Sequence, residues 1–464
     1  MLSSTSGHSF YEVVRIAMQE LGIPYKENDN DAICVWWDTI KDQDYFRSLT
    51  PWQVVNRLPN VNIICRKAPF VRAVQRIQKF FPSNFTFLPK SYILPLQKEP
   101  FMSQVNKHNK TYIVKPDNGA LGQGIVVINP SDQYQVTNHL SVAQEYKNSY
   151  LIDGYKFDLR IYCLVIAAEK PEIYVYHDGI ARFCSAPANS GNQFGQLTNT
   201  AVNIKNPSVT AESITHIVSD VFADLKRKGA NIDKLWLDIE NAMALTVLSA
   251  APFIMNGSRY QCPMIGYPRC FQLLGFDVLL DENLKPWILE VNYRPSLEYG
   301  TQAEKNLKIK MLKELMSIAF PHQSAEEAVR QMKHPIHNDS WKIYISKHKN
   351  IGEDSLNKRQ NAERNTKFVH VFPNPSPERS QWNAVYELSM SLPSEIGNCW
   401  NLPREIPSTY KPIMINCQQQ QSERSPHSSS ENTPKDKKVN SIIHSKKIIQ
   451  PKVKSNQQSF HRKL

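Results

Sequence analysis

The chain has 464 residues, 55 Lys+Arg against 43 Asp+Glu, and 41% hydrophobic residues. That length and apolar content favour a mostly globular chain of two to four domains. The net charge of +12 favours a polyanionic partner (nucleic acid, an anionic membrane or an acidic protein segment), though an undirected basic surface fits the charge alone equally well. The eight cysteines are scattered with no C-x-x-C spacing, which argues for reduced, buried thiols rather than a disulfide frame or a zinc site.

In chain order, Phe10, Val14, Ala17, Met18 and Leu21 repeat with helical spacing until Gly22 and Pro24. "AICVWWDTI" then reads as a strand, and "RAVQRIQKFF" as a helix ending at Pro82. The opening "MLSSTSGHSF" lacks a charged and an apolar region, so no secretory signal is expected. From 96 to 180 the pattern becomes "TYIVK", "GIVVI", "SVAQEY", "DLRIYCLVIAA" and "EIYVYHDG", β-branched and aromatic runs that predict a mixed sheet. From 181 onwards follow a polar loop, two helical stretches ("SITHIVSDVFADLKRKG" and "DKLWLDIENAMALTVLSAA"), a strand hairpin near 275–292 and a last helix, "AEKNLKIKMLKELMSIA". The longest apolar run, residues 242–255, is too short to span a bilayer and contains Pro252, so a buried helix is expected.

The expected organisation is an N-terminal domain at 1–95, a central domain at 96–180, a C-terminal domain at 181–325, a poorly structured extension at 326–416 and a disordered basic tail at 417–464. The tail holds ten Lys/Arg against three acids, a net of +7, and its Gln/Ser-rich composition cannot bury a core.

Three elements carry chemistry. In "GFDVLLDENLKPWILEVN", Asp277 lies in one apolar strand, while Glu290 and Asn292 share a face of the next. A turn centred between Asn283 and Leu284 puts Asp277 opposite Glu290. Two facing carboxylates repel, and a hard cation would remove that penalty. Spacing alone leaves open that one carboxylate points to solvent or meets a lysine; Asn292 as a third oxygen donor tips the reading to Mg²⁺. The second element is "TYIVKPDNGALGQGIVVIN", with Lys115 before Gly119, Gly122 and Gly124. A loop so poor in Cβ atoms can press backbone N–H groups against phosphates, but three glycines alone describe a floppy hairpin turn just as well. In the third, Gln144, Glu145 and Tyr146 end a strand and could offer backbone groups to an adenine edge. Beyond them Lys156, Asp158, Arg160 and Tyr162 alternate on one strand face, which suggests anion binding.

Together, "KPDNGALGQGI", "LIDGYKFDLRIY", "GQLTNTAVN" and "CFQLLGFDVLLDENLKPWILEVNYRPSL" resemble the tubulin tyrosine ligase-like proteins, most of all the polyglutamylases, over roughly residues 30–320. The resemblance implies an α+β ATP-grasp fold with mixed or antiparallel sheets. It further implies an ATP-dependent ligase that activates a glutamate side-chain carboxylate in an acidic tubulin tail as an acyl phosphate, which free glutamate then attacks. On that resemblance Lys115 and Lys156 hold phosphates and adenine, and the glycine loop, Gln144, Glu145, Tyr146 and Asp158 complete the nucleotide site. Arg160 stabilises the transferring group, Thr198 and Asn199 contact ribose and substrate, and Asp277, Glu290 and Asn292 hold Mg²⁺. Lys67 resembles a family position near the active site, and Lys308 a family lysine of the last helix. Arg294, Leu121, Ala68 and Gln196 depart from the family pattern, but none of these removes a metal donor or an ATP lysine, so an active enzyme is expected. Glycine ligation, or a silent microtubule-binding protein, are the alternatives. Expected partners are microtubules and free glutamate, with no membrane and no nucleic acid, in a monomer placed in the cytoplasm, cytoskeleton or cilium.

Overall fold

The computed structural model describes residues 2–4, 11–27, 32–37, 43–50, 52–117, 124–190, 193–264, 266–321, 350–374, 376 and 380–392. Three sheets organise them. A small parallel sheet joins β1 (Leu2–Ser4), β2 (Tyr25–Glu27), β3 (Cys34–Trp36) and β4 (Val54–Val55) in the order β2-β1-β3-β4. An antiparallel sheet of β5 (Ser91–Leu94), β6 (Tyr112–Pro116), β7 (Val126–Ile128) and β8 (Ser141–Glu145) runs β5-β8-β6-β7. The largest sheet is antiparallel too. It comprises β9 (Leu151–Ile152), β10 (Tyr155–Ala167), β11 (Pro171–Phe183), β12 (Thr215–Ile217), β13 (Phe271–Leu280), β14 (Pro286–Asn292) and β15 (Phe368–Phe372). Its central path is β12-β11-β10-β13-β14, with β15 on β11 and β9 on β10.

The alternation in "KFDLRIY" decides which way β10 faces. Phe157, Leu159 and Ile161 are fully buried in the main core, together with the helices Lys67–Gln78 and Ile232–Ser249. Lys156, Asp158, Arg160 and Tyr162 face the opposite way. A second core lies between the other face of the large sheet and the helices Glu12–Glu20 and Gln302–Ala319, whose Met311, Leu312 and Leu315 are fully buried. A third, smaller core sits under the β5–β8 sheet around Phe101, Tyr112 and Leu94.

The structure departs from expectation in four places. Within "SITHIV" the expected helix is interrupted by β12, because Thr215, His216 and Ile217 add to the edge of β11 opposite Arg182, Ala181 and Ile180; a four-residue helix, Ala211–Ile214, precedes it and the longer helix begins at Val218. The apolar run 242–255 crosses two helices, Ile232–Ser249 and Ala251–Gln261, bent by 56°. No single described helix is long and apolar enough to cross a membrane. The boundaries drawn at 95 and 180 cut through structure: β5 pairs with β8, and β11 continues to Phe183. The extension at 326–416 was expected to be poorly structured, yet its described part holds a helix (Asn350–Glu363), β15 and a helix (Ser380–Ser391). There Phe372, Trp382 and Val385 are fully buried in the main core; a short aromatic strand and one helical turn pattern gave too little periodicity to show it. The tail at 417–464 lies outside the described residues. The six described cysteines are free thiols, buried except for half-buried Cys65, while Cys399 and Cys417 lie outside.

Candidate functional site

A cavity of about 970 Å³ opens between the β5–β8 sheet and the face of the large sheet that carries Asp158 and Arg160. Its first wall carries Ile113, Lys115, Val127 and Gln144; its second carries Lys156, Asp158, Arg160, Arg182, Asp277, Glu290 and Asn292. Lys67, Thr198, Asn199 and Lys308 close it from the sides. Every sequence-selected residue in the described region therefore lines this one cavity except Gly124, which stands at the root of the glycine loop. Gly119, Gly122 and Leu121 lie outside the described residues.

Register builds the second wall. Asp277 pairs with Glu290 and Gly275 with Asn292, as the sequence predicted, and a bulge after Asp277 shifts the rest of the hairpin by one residue. On the other side of β13, Arg160 of β10 stands directly opposite Asp277. Arg160 Nε donates to Asp277 Oδ1 at 2.5 Å and its Nη2 to Oδ2 at 3.1 Å. Gly275 is what lets that guanidinium lie down: a Cβ there would stand 3.0 Å from Arg160 Cδ and 2.7 Å from Pro295 Cβ. One strand further, Arg182 pairs across the ladder with Asp158. It donates to Asp158 Oδ1 and Oδ2 at 2.8 and 2.7 Å, and reaches Asp277 Oδ2 at 3.0 Å. Thr198 Oγ1 donates to Asp158 Oδ2 at 2.6 Å.

Sequence reasoning missed Arg182. Extending the β10–β11 hairpin from its tip, where Ala167 faces Pro171, would put Asp158 opposite Ile180. A bulge between Ile161 and Cys163 moves the partner by two residues, to Arg182.

The electrostatics of the two acids diverge. Burial works to raise the Asp277 carboxyl, but the guanidiniums of Arg160 and Arg182 outweigh it and hold the group well below the usual carboxylate range. Burial, and then the like charge of Asp277, push the Glu290 carboxyl above its ordinary value. Glu290 still leaves 36% of its side chain open to the cavity, with Lys67 Nζ 4.0 Å away. Asn292 Nδ2 donates to Glu290 Oε1 at 3.3 Å and lies 3.5 Å from Asp277 Oδ2. For Asn292 to offer Oδ1 to a cation the amide must turn over.

On the first wall, Lys115 Nζ donates to Gln144 Oε1 at 3.0 Å, and Gln144 is fixed in turn by Ser91 Oγ at 3.0 Å. Burial pulls the Lys115 ammonium down to about 8, a fall that Glu290 resists and Lys67 and Lys156 reinforce. Lys156 Nζ donates to Tyr146 Oη at 3.0 Å and stands 4.8 Å from the same ring. Two ammoniums are thus held by neutral groups. The backbone N–H groups of Glu145 and Tyr146 are donated to the carbonyls of Lys90 and Thr111, so these two donors are already used within the protein. The Glu145 side chain binds Lys110 at 2.9 Å and Lys147 at 2.8 Å. Lys308, buried in the last helix, donates to the Glu298 carbonyl and stands 3.6 Å from Glu304.

Two departures from the family pattern acquire an explanation. Asp117 accepts from Ala68 N at 2.8 Å and from Arg66, so an acid from β6's end caps the helix that starts at Lys67. Arg294 is exposed and lies over the Tyr11 ring at 5.5 Å.

Residues 46–328 match the tubulin-tyrosine ligase family. The chain belongs to that family. It is 33% identical to the tubulin polyglutamylase TTLL7 of Homo sapiens over 322 residues, which is 65% of this chain and 36% of the relative. It is 32% identical to the tubulin polyglutamylase ttll6 of Danio rerio over 313 residues, 65% of this chain and 40% of that one. To the tubulin polyglutamylase TTLL13 of Mus musculus it is 31% identical over 321 residues, covering 66% and 40%. The chain thus spans less than half the length of these relatives.

Proposed function

We propose that this family member is an ATP-dependent carboxylate–amine ligase of ATP-grasp type that adds glutamate to side-chain carboxylates in acidic tubulin tails. The observation that supports it most is the charge ladder Arg182–Asp158 and Arg160–Asp277–Glu290 on one wall, facing Lys115 across the cleft. Joining an anionic acceptor, an anionic amino acid and a polyphosphate requires such clustered, fixed cations. The apolar side chains of Ile113 and Val127 on one wall, and Leu279 and Leu289 on the other, suit a flat base between two sheets.

In the reaction, an acceptor carboxylate oxygen takes the γ-phosphoryl group and ADP leaves. The amine of free glutamate, having given up a proton, then forms the amide bond as phosphate leaves. Lys115 and Lys156 orient phosphates, and Arg160 and Arg182 hold the charge that moves onto the transferring group. Asp277, Glu290 and Asn292 form a donor set that suits Mg²⁺: oxygen-rich, with one carboxyl whose proton affinity is raised by its like-charged neighbour. When bound, the ion supplies charge neutralisation at the phosphates. Thr198 keeps Asp158 turned to Arg182, so it acts through that pair. Microtubule association, and with it a cytoskeletal or ciliary setting, follows from the same reading and the basic charge of the chain.

The test is incubation with Mg-ATP, tubulin and labelled glutamate or glycine, with added mass mapped by mass spectrometry. Glutamate on an acidic tail is the expected product. Glycine would redirect the amino-acid assignment, and microtubule co-sedimentation without any addition would overturn the catalytic reading.

A further inference from the structure

Beyond Arg160, β10 carries one more polar group into the cleft. Tyr162 shares the face of Lys156, Asp158 and Arg160 and lines the cavity with them. It follows Lys156 by six positions, about 20 Å along the strand, and so stands at the end of the cleft away from Tyr146. Its side chain is 1% exposed and belongs to the second core, with Tyr176, Met311 and Leu312. Tyr174 and Tyr267 are buried in the same core, and they donate their hydroxyls to Glu172 Oε2 at 2.9 Å and to the Trp52 carbonyl at 2.7 Å. Among the described residues nothing hydrogen-bonds to the Tyr162 hydroxyl. Tyr92 Oη also lacks a partner, but it is sealed in the interior. Tyr162 lines open space.

The charges that bear on this hydroxyl are Arg160, Glu304, Arg182 and Asp277. Both acids already have partners. Asp277 holds Arg160 on its two oxygens. Glu304 accepts from Gly300 N at 2.6 Å through Oε2, and its Oε1 stands 3.6 Å from Lys308 Nζ. The cations are committed in turn: Arg160 and Arg182 each give Nε and Nη2 to carboxylates, and Lys308 donates to the Glu298 carbonyl. Burial pushes the Tyr162 hydroxyl up to about 12, so it keeps its proton at neutral pH. A protonated, unused donor beside two guanidiniums suits an oxygen on which negative charge gathers.

We propose that Tyr162 is a catalytic residue of amide formation, its hydroxyl donating to the acyl oxygen of the activated acceptor glutamate. On the ligase reading above, on which this rests, the amine of free glutamate adds to the acyl phosphate. The carbon–nitrogen bond forms as the carbonyl pair moves onto the acyl oxygen. When that pair returns, the carbon–oxygen bond to phosphate breaks, and phosphate leaves with the bonding pair and the proton from nitrogen. Tyr162 lends a hydrogen bond throughout and transfers no proton. In the preceding step the acceptor carboxylate gives up negative charge as it takes the phosphoryl group, so the same donor brings no advantage there.

Tyr162→Phe keeps the ring and removes only the hydroxyl, so the full-length variant should melt within about 2 °C of wild type. Both proteins are given Mg-ATP, tubulin and labelled glutamate, and ADP formation in a single turnover is timed beside glutamate incorporation. ADP formation should match wild type within about twofold, while incorporation falls about 10²-fold at unchanged KM for ATP and for glutamate. ADP formation slowed as much as incorporation would move the hydroxyl to phosphoryl transfer, and a loss recovered by saturating glutamate would make it a contact of the free amino acid. Either result overturns the proposal. So would incorporation at the wild-type rate, or a variant that melts several degrees lower, the mark of a hydroxyl used by the fold. Wild type that adds no amino acid to tubulin would overturn the ligase reading and this proposal with it, whereas a failure confined to the comparison of the two proteins leaves that reading standing.

Discussion

The strand β11 carries an ionic cluster at each end, and the two are built on opposite terms. At its start, Glu172 receives Arg359 Nε and Nη2 on its two oxygens, both at 2.8 Å, and Tyr174 Oη at 2.9 Å. Arg359 also donates to Ser355, and His370 stacks on Tyr174 at 4.6 Å. One acid meets one base in a bidentate fork, both only 7% exposed. At its far end, Arg182 is shared between Asp158 and Asp277, Arg160 adds a second cation to Asp277, and Glu290 is left with Lys67 at 4.0 Å. Lys115 and Lys156 hydrogen-bond to neutral side chains. The first cluster is complete as it stands and fastens the helix Asn350–Glu363 to the sheet. The second leaves Lys115 and Lys156 on neutral groups beside a crowd of carboxylates, an imbalance that suits the ligand site proposed above.

Breaking the closed cluster should have the largest effect on folding. Arg359→Met leaves Glu172 buried without its fork, and a loss of about 3–5 kcal/mol is expected in urea unfolding. The double variant with Glu172→Met should recover most of it. A small loss from the single variant would mean that the fork is not what holds this helix. The open cluster should respond the other way. Glu290→Gln removes a like charge beside Asp277, so its unfolding midpoint should equal or exceed that of wild type. Glutamate incorporation should nevertheless fall by about 10²–10³-fold. Incorporation at the wild-type rate would remove Glu290 from the metal-binding role.

The Lys115 ammonium offers a finer comparison because its proton is held weakly. Its folded value of about 8 lies below the ordinary lysine value of about 10.4. The charged form is therefore costly in the folded protein, and stability should rise with pH from about 8 to about 10 as the folded state releases this proton before the unfolded chain does. A bound phosphate reverses the preference. ATP affinity should weaken about fivefold between pH 8 and pH 9, with proton uptake on binding. Calorimetry in buffers of different ionisation enthalpy reads that uptake directly, and Lys115→Met should abolish it. Uptake unchanged in Lys115→Met would assign the proton to another group.

How far the sequence shows this site depends on how locally each part is determined. Asp277 opposite Glu290 was legible only in part: the ladder beside the turn, where Leu280 faces Pro286, would put Asp277 opposite Leu289, and the bulge after Asp277 brings it to Glu290, the pairing that a turn centred between Asn283 and Leu284 gives. The polar face of β10 was legible from strict alternation. Arg182 was not, since it depends on a bulge midway along a hairpin of two 13-residue strands that no residue type announces. Asp117 as the cap of the Lys67 helix was equally hidden: the two are 49 residues apart. The buried cluster around Glu172 draws Arg359 from 187 residues away, in a stretch whose weak periodicity read as poorly structured. Antiparallel sheets were expected; the sharing of β5 and β11 between supposed domains was not, because pairing partners are set by tertiary contact rather than by local composition.

The smallest expected effect tests the root of the glycine loop, where local and tertiary causes meet. Gly124 sits at φ +71°, and a Cβ there would come within 2.9 Å of Pro116 Cγ. Any side chain must therefore both occupy the left-handed region, at about 1 kcal/mol, and push against a ring fixed in β6. Pro116 follows Lys115 and sits opposite Ser141 in β8, so it cannot yield without disturbing that strand pair. Gly124→Ala should cost about 1–2 kcal/mol, and the loss should be local: faster amide exchange in β6 and β7, with protection at β13 and β14 unchanged. Exchange that rises equally in β13 and β14 would mean that the two walls of the cleft open as one unit. Exchange unchanged in both would mean that the turn relaxes without touching Pro116, and Lys115 would then owe its position to Gln144 alone.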